Sequence, residues 1–298
     1  MREATWQQIG TDVSKATTVD TVLKEAGLDY DVELRPVFME GGIKVPNAQV
    51  AVRTMDNHPY GIVSDKYSIV QNRDAFDFVN YLTDEVEFEK AGETASGMVW
   101  IIAKLPEKQI LGDAFTPHVI FRNSFAGKFT IAAAICPLRH ICSNQFNFAF
   151  KHTANTVNIR HIGGMERKLA DARLTLKASY EYMEEVEVMA ERYSTTKMSQ
   201  RQVEIVIDSM FPVGEDAGVR KENNMERLKE KFIEAYNAED NRNFKGSAWG
   251  LINAYTDYST HVVKSRMKDR RIRAEKWFVR TTMLKPMDKI VDVIDATV

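Results

Sequence analysis

The apolar positions change their period along the chain, and those changes outline its elements. Val19, Val22, Leu23 and Ala26 fall at i, i+3, i+4 and i+7, with Thr18 placed to cap and Gly27 placed to stop, which predicts a short helix. The first 16 residues lack such a period and are expected to be loosely held. From Tyr30 the period shortens. Residues 31–37, 48–54 and 60–63 read as strands, separated by Gly41-Gly42, Pro46-Asn47 and Asn57-His58-Pro59. Asn72 is positioned as the N-cap of a helix that turns Phe76, Val79, Tyr81 and Leu82 inward. Strand signals return at 86–88, 98–105, 118–123, 129–134 and 140–144, spaced like an antiparallel meander. Alternation places Val99, Ile101, Val119, Phe121, Ile131 and Ala133 on one buried face of that sheet.

Beyond Gly163-Gly164 the period becomes helical. Residues 165–192 run without Gly or Pro and present Leu169, Leu174, Leu176, Tyr180, Met183, Val186 and Met189. Ser199 and Gln202 form a capping box for a helix carrying Val203, Val206, Ile207 and Met210. Residues 215–224 read as a polar loop, 225–236 as a charged helix, 238–246 as a loop, and 247–261 as a helix with Trp249, Ile252, Tyr255 and Tyr258 at three-residue spacing. The expected fold class is α+β, with an antiparallel sheet and helices in the front half followed by a helical C-terminal region. The expected domains are 1–163, holding the sheet, and 164–298, helical with a basic tail.

Composition narrows the class. Hydrophobic residues make up 44% and charged residues 28%, which places the chain among folded globular proteins. No apolar run approaches the ~18 residues needed to span a bilayer, and the opening residues are polar, so no membrane partner is expected and the location is read as cytoplasmic. Two cysteines are too few for a disulfide framework. The net charge of −2 conceals an uneven distribution: Lys264, Arg266, Lys268, Arg270, Arg271, Arg273, Lys276 and Arg280 face only Asp269 and Glu275 over residues 264–280, a local excess of +6 (eight minus two).

Three groups of landmarks stand out along the chain. The first is Gly61-Ile62-Val63-Ser64-Asp65-Lys66-Tyr67-Ser68-Ile69-Val70-Gln71-Asn72 with Ala75-Phe76 after it. The second runs from Ala91-Gly92 through Gly97-Met98-Val99-Trp100 and Leu105-Pro106 to Asn123-Ser124 and Arg139 to Asn144. The third is Ala248-Trp249, Asn253-Ala254, Tyr258 and His261. In this order and spacing they resemble the phage/plasmid-like family known as domain of unknown function nine-three-two. The turn Ser124-Phe125-Ala126-Gly127-Lys128 departs from the His-Asp-Gly or similar polar turn usual there, so no acidic role is carried to it. The resemblance implies a gene of phages and mobile elements, often near replication and recombination genes, and brings no settled activity.

Candidate chemistry is sparse. Cys136, His140 and Cys142 are of metal-ligand type, but their spacing and number fall short of a four-ligand zinc site, so no metal and no cofactor is expected. The common hydrolase, nucleotide-triphosphatase, protease and dehydrogenase signatures are absent, which leaves an enzyme unsupported. Arg122, Asn123, Lys128, Arg139 and Asn144 could collect along one rim of the sheet and offer donors to a phosphate backbone. The basic segment, with Trp277 and Phe278 to stack on bases, is the stronger polyanion signal; its ordinary alternative is a solvated face neutralised by acids such as those of residues 181–191.

These features lead to a non-enzymatic nucleic-acid-binding protein that binds or anneals single-stranded DNA in recombination or replication, with a homo-oligomer possible. Its rivals are an interaction protein that inhibits a host defence or host enzyme, and a nucleotide-acting enzyme of unrecognised type.

Overall fold

The computed structural model describes residues 9–94, 96–127, 130–139, 144–145, 156–159, 164–213, 218–259 and 288–298. In chain order the front half contains β1 (Thr11–Asp12), α1 (Val19–Glu25), β2 (Val32–Phe38), β3 (Lys44–Arg53), β4 (His58–Ser64), α2 (Asn72–Phe76) and a 3-10 helix (Asp77–Leu82). There follow β5 (Glu87–Glu93), β6 (Met98–Lys104), β7 (Lys108–Ile110), β8 (Asp113–Ser124), β9 (Ala132–Arg139), β10 (Asn144–Gln145) and β11 (Thr156–Asn158). The back half is helical: α3 (Met165–Thr195), α4 (Gln200–Met210), α5 (Val219–Tyr236), a 3-10 helix (Glu239–Phe244), α6 (Ala248–Asp257) and α7 (Asp288–Asp295). The class is α+β.

The large sheet orders its strands β1-β5-β6-β8-β9-β10, with β7 on β8 and β11 on β9, and all its pairings are antiparallel. Ile101 faces Phe121, which faces Ala133, and Ala103 faces Val119, which faces Ile135. This register puts Val99, Ile101, Val119, Phe121 and Ala133 on one side, and they and Ile131 are all buried, as the alternation predicts. Helical residues cover that side: Phe78 meets the edge of Phe121 at 5.6 Å between ring centroids. The opposite side, with Met98, Trp100, Ile102, Ile120, Ala132 and Ala134, is equally buried. Burial on both faces explains why β6 reads as a nearly unbroken apolar run.

β2, β3 and β4 form a separate antiparallel sheet in that order. β3 begins earlier than the sequence pattern indicates and runs through Pro46 and Asn47, the latter at φ +56°, so this pair sits within the strand instead of breaking it. α1 is capped as expected: Thr21 N donates to the Thr18 hydroxyl, and Gly27 leaves the helix at φ +68°. The Ser199 capping box is complete on both arms.

Four expectations need correction. The chain before α1 is held from Ile9 onward, because Ile9 and Val13 are buried and β1 pairs with β5. Asn72 is the first residue of α2 and not its cap; its side chain is turned inward to the Leu28 carbonyl at 3.0 Å. α5 starts at Val219, inside the stretch read as a polar loop, since its charged residues are good helix formers on an exposed face. The C-terminus is not a tail: α7 docks on the other helices with Ile290 and Ile294 fully buried. One continuous group of buried side chains joins Val13 of the front half to Ile294 of the back half.

Truncating Phe121 to alanine should cost about 3–5 kcal/mol in urea unfolding, as expected for a fully buried aromatic. Val188→Ala, at a 61% exposed position, should stay within about 0.5 kcal/mol.

Candidate functional site

The polar groups converge where the small sheet meets the end of β8. Tyr60 lies against the backbone of Gly97, where a Cβ would approach its ring to 2.4 Å, and Gly61 lies over Ala126. Phe125 packs beside Tyr60 and Tyr30 at 5.2 and 6.2 Å between centroids. The Tyr60 hydroxyl donates to that of Tyr30 at 2.9 Å. Arg53 lies over both rings, bonds Asp56 through two nitrogens at 2.7 and 2.9 Å, and reaches Glu93 at 3.0 Å.

On the other side of the junction, the Asn123 amide donates to the Val70 carbonyl at 3.0 Å and to Asn72 Oδ1 at 3.1 Å, while Asn123 Oδ1 accepts from Ser124 N. The Tyr67 hydroxyl donates to the Ser124 carbonyl at 3.0 Å. The segment leading to α2 is thus tied to the end of β8 by hydrogen bonds, while the small sheet packs there through Tyr60 and bonds β5 through Arg53 and Glu93.

Electrostatics make this cluster a lock and not a proton shuttle. Burial raises the phenols of Tyr30 and Tyr60, which therefore stay protonated and serve as donors. The bond to Asp56 raises Arg53, and the same bond holds the Asp56 carboxyl down to about 2. Every charge in the group has an opposite charge beside it.

The proposed rim does not assemble. Arg122 and Asn123 are 5% and 2% exposed, and as neighbours on a strand they face opposite sides of the sheet. Arg122 pairs with Ala132 across the ladder whereas Arg139 pairs with Phe115, seven residues along, which is about 23 Å at the rise of a strand. Arg139 and Asn144 pair with each other at that far end. Asn123 is spent on internal hydrogen bonds, and desolvation lowers the basicity of Arg122. The same register places the backbones of Asn123 and Arg139 at opposite ends of the β8–β9 ladder. Lys128, His140, Cys142, His261 and residues 264–280 lie outside the described residues.

Cys136 is buried across the ladder from His118, and burial pushes its thiol up to about 12, so it holds no thiolate for nucleophilic attack at neutral pH. His118 is itself buried, with Nδ1 3.0 Å from the Thr116 carbonyl and Nε2 3.1 Å from Glu89. Sequence reasoning missed this pair and the Arg53–Tyr30–Tyr60–Glu93 group, because in each the members come from separate strands and no local spacing announces them.

The helical half brackets the basic segment. α6 is capped by Ser247 and buries Trp249, Leu251 and Ile252, and Ser259 just beyond it is buried. After the segment, α7 is fixed by Asp295, which accepts from Tyr193 Oη at 2.8 Å and from Arg192 at 3.0 Å. Lys289 reaches the Met210 carbonyl and Gln202 the Thr297 carbonyl. Among the described acids of residues 181–191, Glu187 is paired with Lys108 at 2.6 Å and Glu181 with Lys177 at 3.5 Å.

Fold and junction together define an α+β protein with two antiparallel sheets locked by a buried polar cluster and closed by a helical bundle. The chain belongs to the family described as Domain of unknown function (DUF932), whose model matches residues 59–277. No curated protein and no solved structure matches it. No helix among the described residues is long and apolar enough to cross a membrane.

Asn123→Ala strips a partner from the half-buried Val70 carbonyl and one from the buried Asn72 amide, and should cost about 1–3 kcal/mol in chemical unfolding. Asp56 has its folded value depressed below the ordinary carboxylate value of about 3.9, so its contribution is complete above that pH and is lost as pH falls toward 2. Asp56→Asn should therefore lower the melting temperature at pH 7, and the gap to wild type should close between about pH 4 and pH 2.

Proposed function

We propose that the protein is a non-enzymatic nucleic-acid-binding protein that binds or anneals single-stranded DNA during the recombination or replication of a phage or other mobile element. The observation that carries this reading is the charge of residues 264–280, where eight cations stand against two acids. Neutralising phosphates with such a segment releases condensed counterions, which favours binding without regard to base sequence. Trp277 and Phe278 supply aromatic faces for unpaired bases.

The anchoring on both sides supports the reading further. A basic segment joined at one end to α6 and at the other to α7 has fewer conformations to lose on binding than a free tail. Arg122 and Asn123 are buried, so the reading rests on residues 264–280. The interaction-protein reading has one observation in its favour: Phe38, Met39 and Ile43 are 55–62% exposed at the tip of the β2–β3 hairpin, on a sheet with little net charge.

Fluorescence anisotropy with single-stranded and duplex oligonucleotides at two salt concentrations tests the proposal. Binding should be tighter to single strands and should weaken steeply with salt; no binding to either at low salt overturns the reading. Replacing Arg270, Arg271 and Arg273 together with alanine should weaken every oligonucleotide similarly and flatten the log–log salt dependence by about 0.7 per lost phosphate contact. Unchanged affinity in that variant would remove the segment from the mechanism, and an affinity for protein partners that ignores salt would favour the rival reading.

A further inference from the structure

Sheet edges carry unpaired backbone groups, and most edges in this fold are protected. In the large sheet the outermost strands β1, β10 and β11 are only two or three residues long. In the small sheet β2 is blunted at two points. The Gln71 side chain imitates a neighbouring strand, accepting from Val32 N at 3.0 Å and donating to Val32 O at 2.8 Å, and Pro36 has no N–H to offer.

Those contacts also fix which groups of β4 face outward. Val32 turns its N–H and C=O away from β3, so the hydrogen-bonded partners are Glu33 with Val52 and Arg35 with Val50. Gln49 and Ala51 then face β4 and bond Val63 and Gly61, which leaves the N–H and C=O of Ile62 directed away from the sheet. The described residues supply no partner for them. The Ile62 side chain is 68% exposed, and β4 has neither a proline nor a charged residue at that position. Among the described residues β4 is therefore open at Ile62, between Pro59, which has no N–H, and Ser64, whose carbonyl accepts from Tyr67 N at 3.1 Å, beside a β2 edge that is closed.

We propose that the open edge of β4 is a self-association surface, on which a second copy of the chain adds its own β4 antiparallel, with Ile62 at the two-fold axis. In this register the two Ile62 residues exchange both hydrogen bonds, Gly61 of one copy lies opposite Val63 of the other, and the three-stranded sheets join into one of six strands. The occupant is a second copy because the edge is self-complementary. From Tyr60 to Ser64 the strand has no ionised side chain, so antiparallel self-pairing brings no like charges together, and it covers the exposed Ile62 with its own counterpart. The contact is small beside the roughly 1,200–2,000 Å² of stable interfaces, so the dimer forms in a concentration-dependent way. The assignment rests on the β4 edge alone and is independent of nucleic-acid binding.

Sedimentation velocity of the full chain across a concentration series, without nucleic acid, is the test. Wild type should pass from monomer to dimer, and Ile62→Lys should remain monomeric throughout with an unchanged circular-dichroism spectrum. Facing residues of such a pair have Cα atoms about 5.5 Å apart, within disulfide reach. Ile62→Cys should therefore give a covalent dimer on mild oxidation, while Ile43→Cys, exposed to 62% and carrying the same native cysteines, should not. A wild type that is monomeric at every concentration, a dimer that survives Ile62→Lys, or equal crosslinking by both cysteine variants would each overturn the proposal.

Discussion

Burial of β6 and β8 on both faces is the constraint on which the rest of the structure depends. A strand buried on both sides leaves its polar side chains little route to water, so they are drawn to partners inside the protein. Asn123 accordingly bonds Val70, Asn72 and its own neighbour, and His118 sits between a carbonyl and a carboxylate. Side chains held this way give the sheet a single arrangement and are withdrawn from any partner.

The same constraint gives the family landmarks a physical meaning. Gly61, Tyr67, Asn72, Gly97, Asn123 and Ser124 are far apart in sequence and meet at one junction. Gly97 is there because at φ +77° its missing Cβ lets Tyr60 lie on the backbone, and Gly61 because Ala126 lies against it. Tyr67 and Asn72 tie the segment before α2 to β8. These landmarks describe how one sheet is fastened to the other and specify no reaction, which is consistent with a pattern that has architecture without a catalytic signature.

The helical half acts on the basic segment through its ends. α6 is a core helix, and α7 inserts Ile290 and Ile294 between helices that also hold Asp295, so the chain returns to the body of the protein after the cations.

Local chemistry decided much of this by itself. Thr18 with Gly27 and Ser199 with Gln202 start or stop their helices through groups a few residues apart, and alternation in β6 and β8 settled which residues share a face, because a strand has only two. The uneven charge of residues 264–280 is likewise a property of the chain alone. Tertiary structure decided the rest. Asn72 looked like a cap because an asparagine before an apolar period usually is one, yet a buried carbonyl of Leu28 and the amide of Asn123 claimed its side chain. The rim expected from Arg122, Asn123, Arg139 and Asn144 failed because sequence proximity says nothing about ladder position, and the register sends the two pairs to opposite ends of β9. Arg53, Tyr30, Tyr60 and Glu93 form their cluster only where the two sheets meet, and Gln71 closes the β2 edge only because the segment before α2 folds back onto Val32.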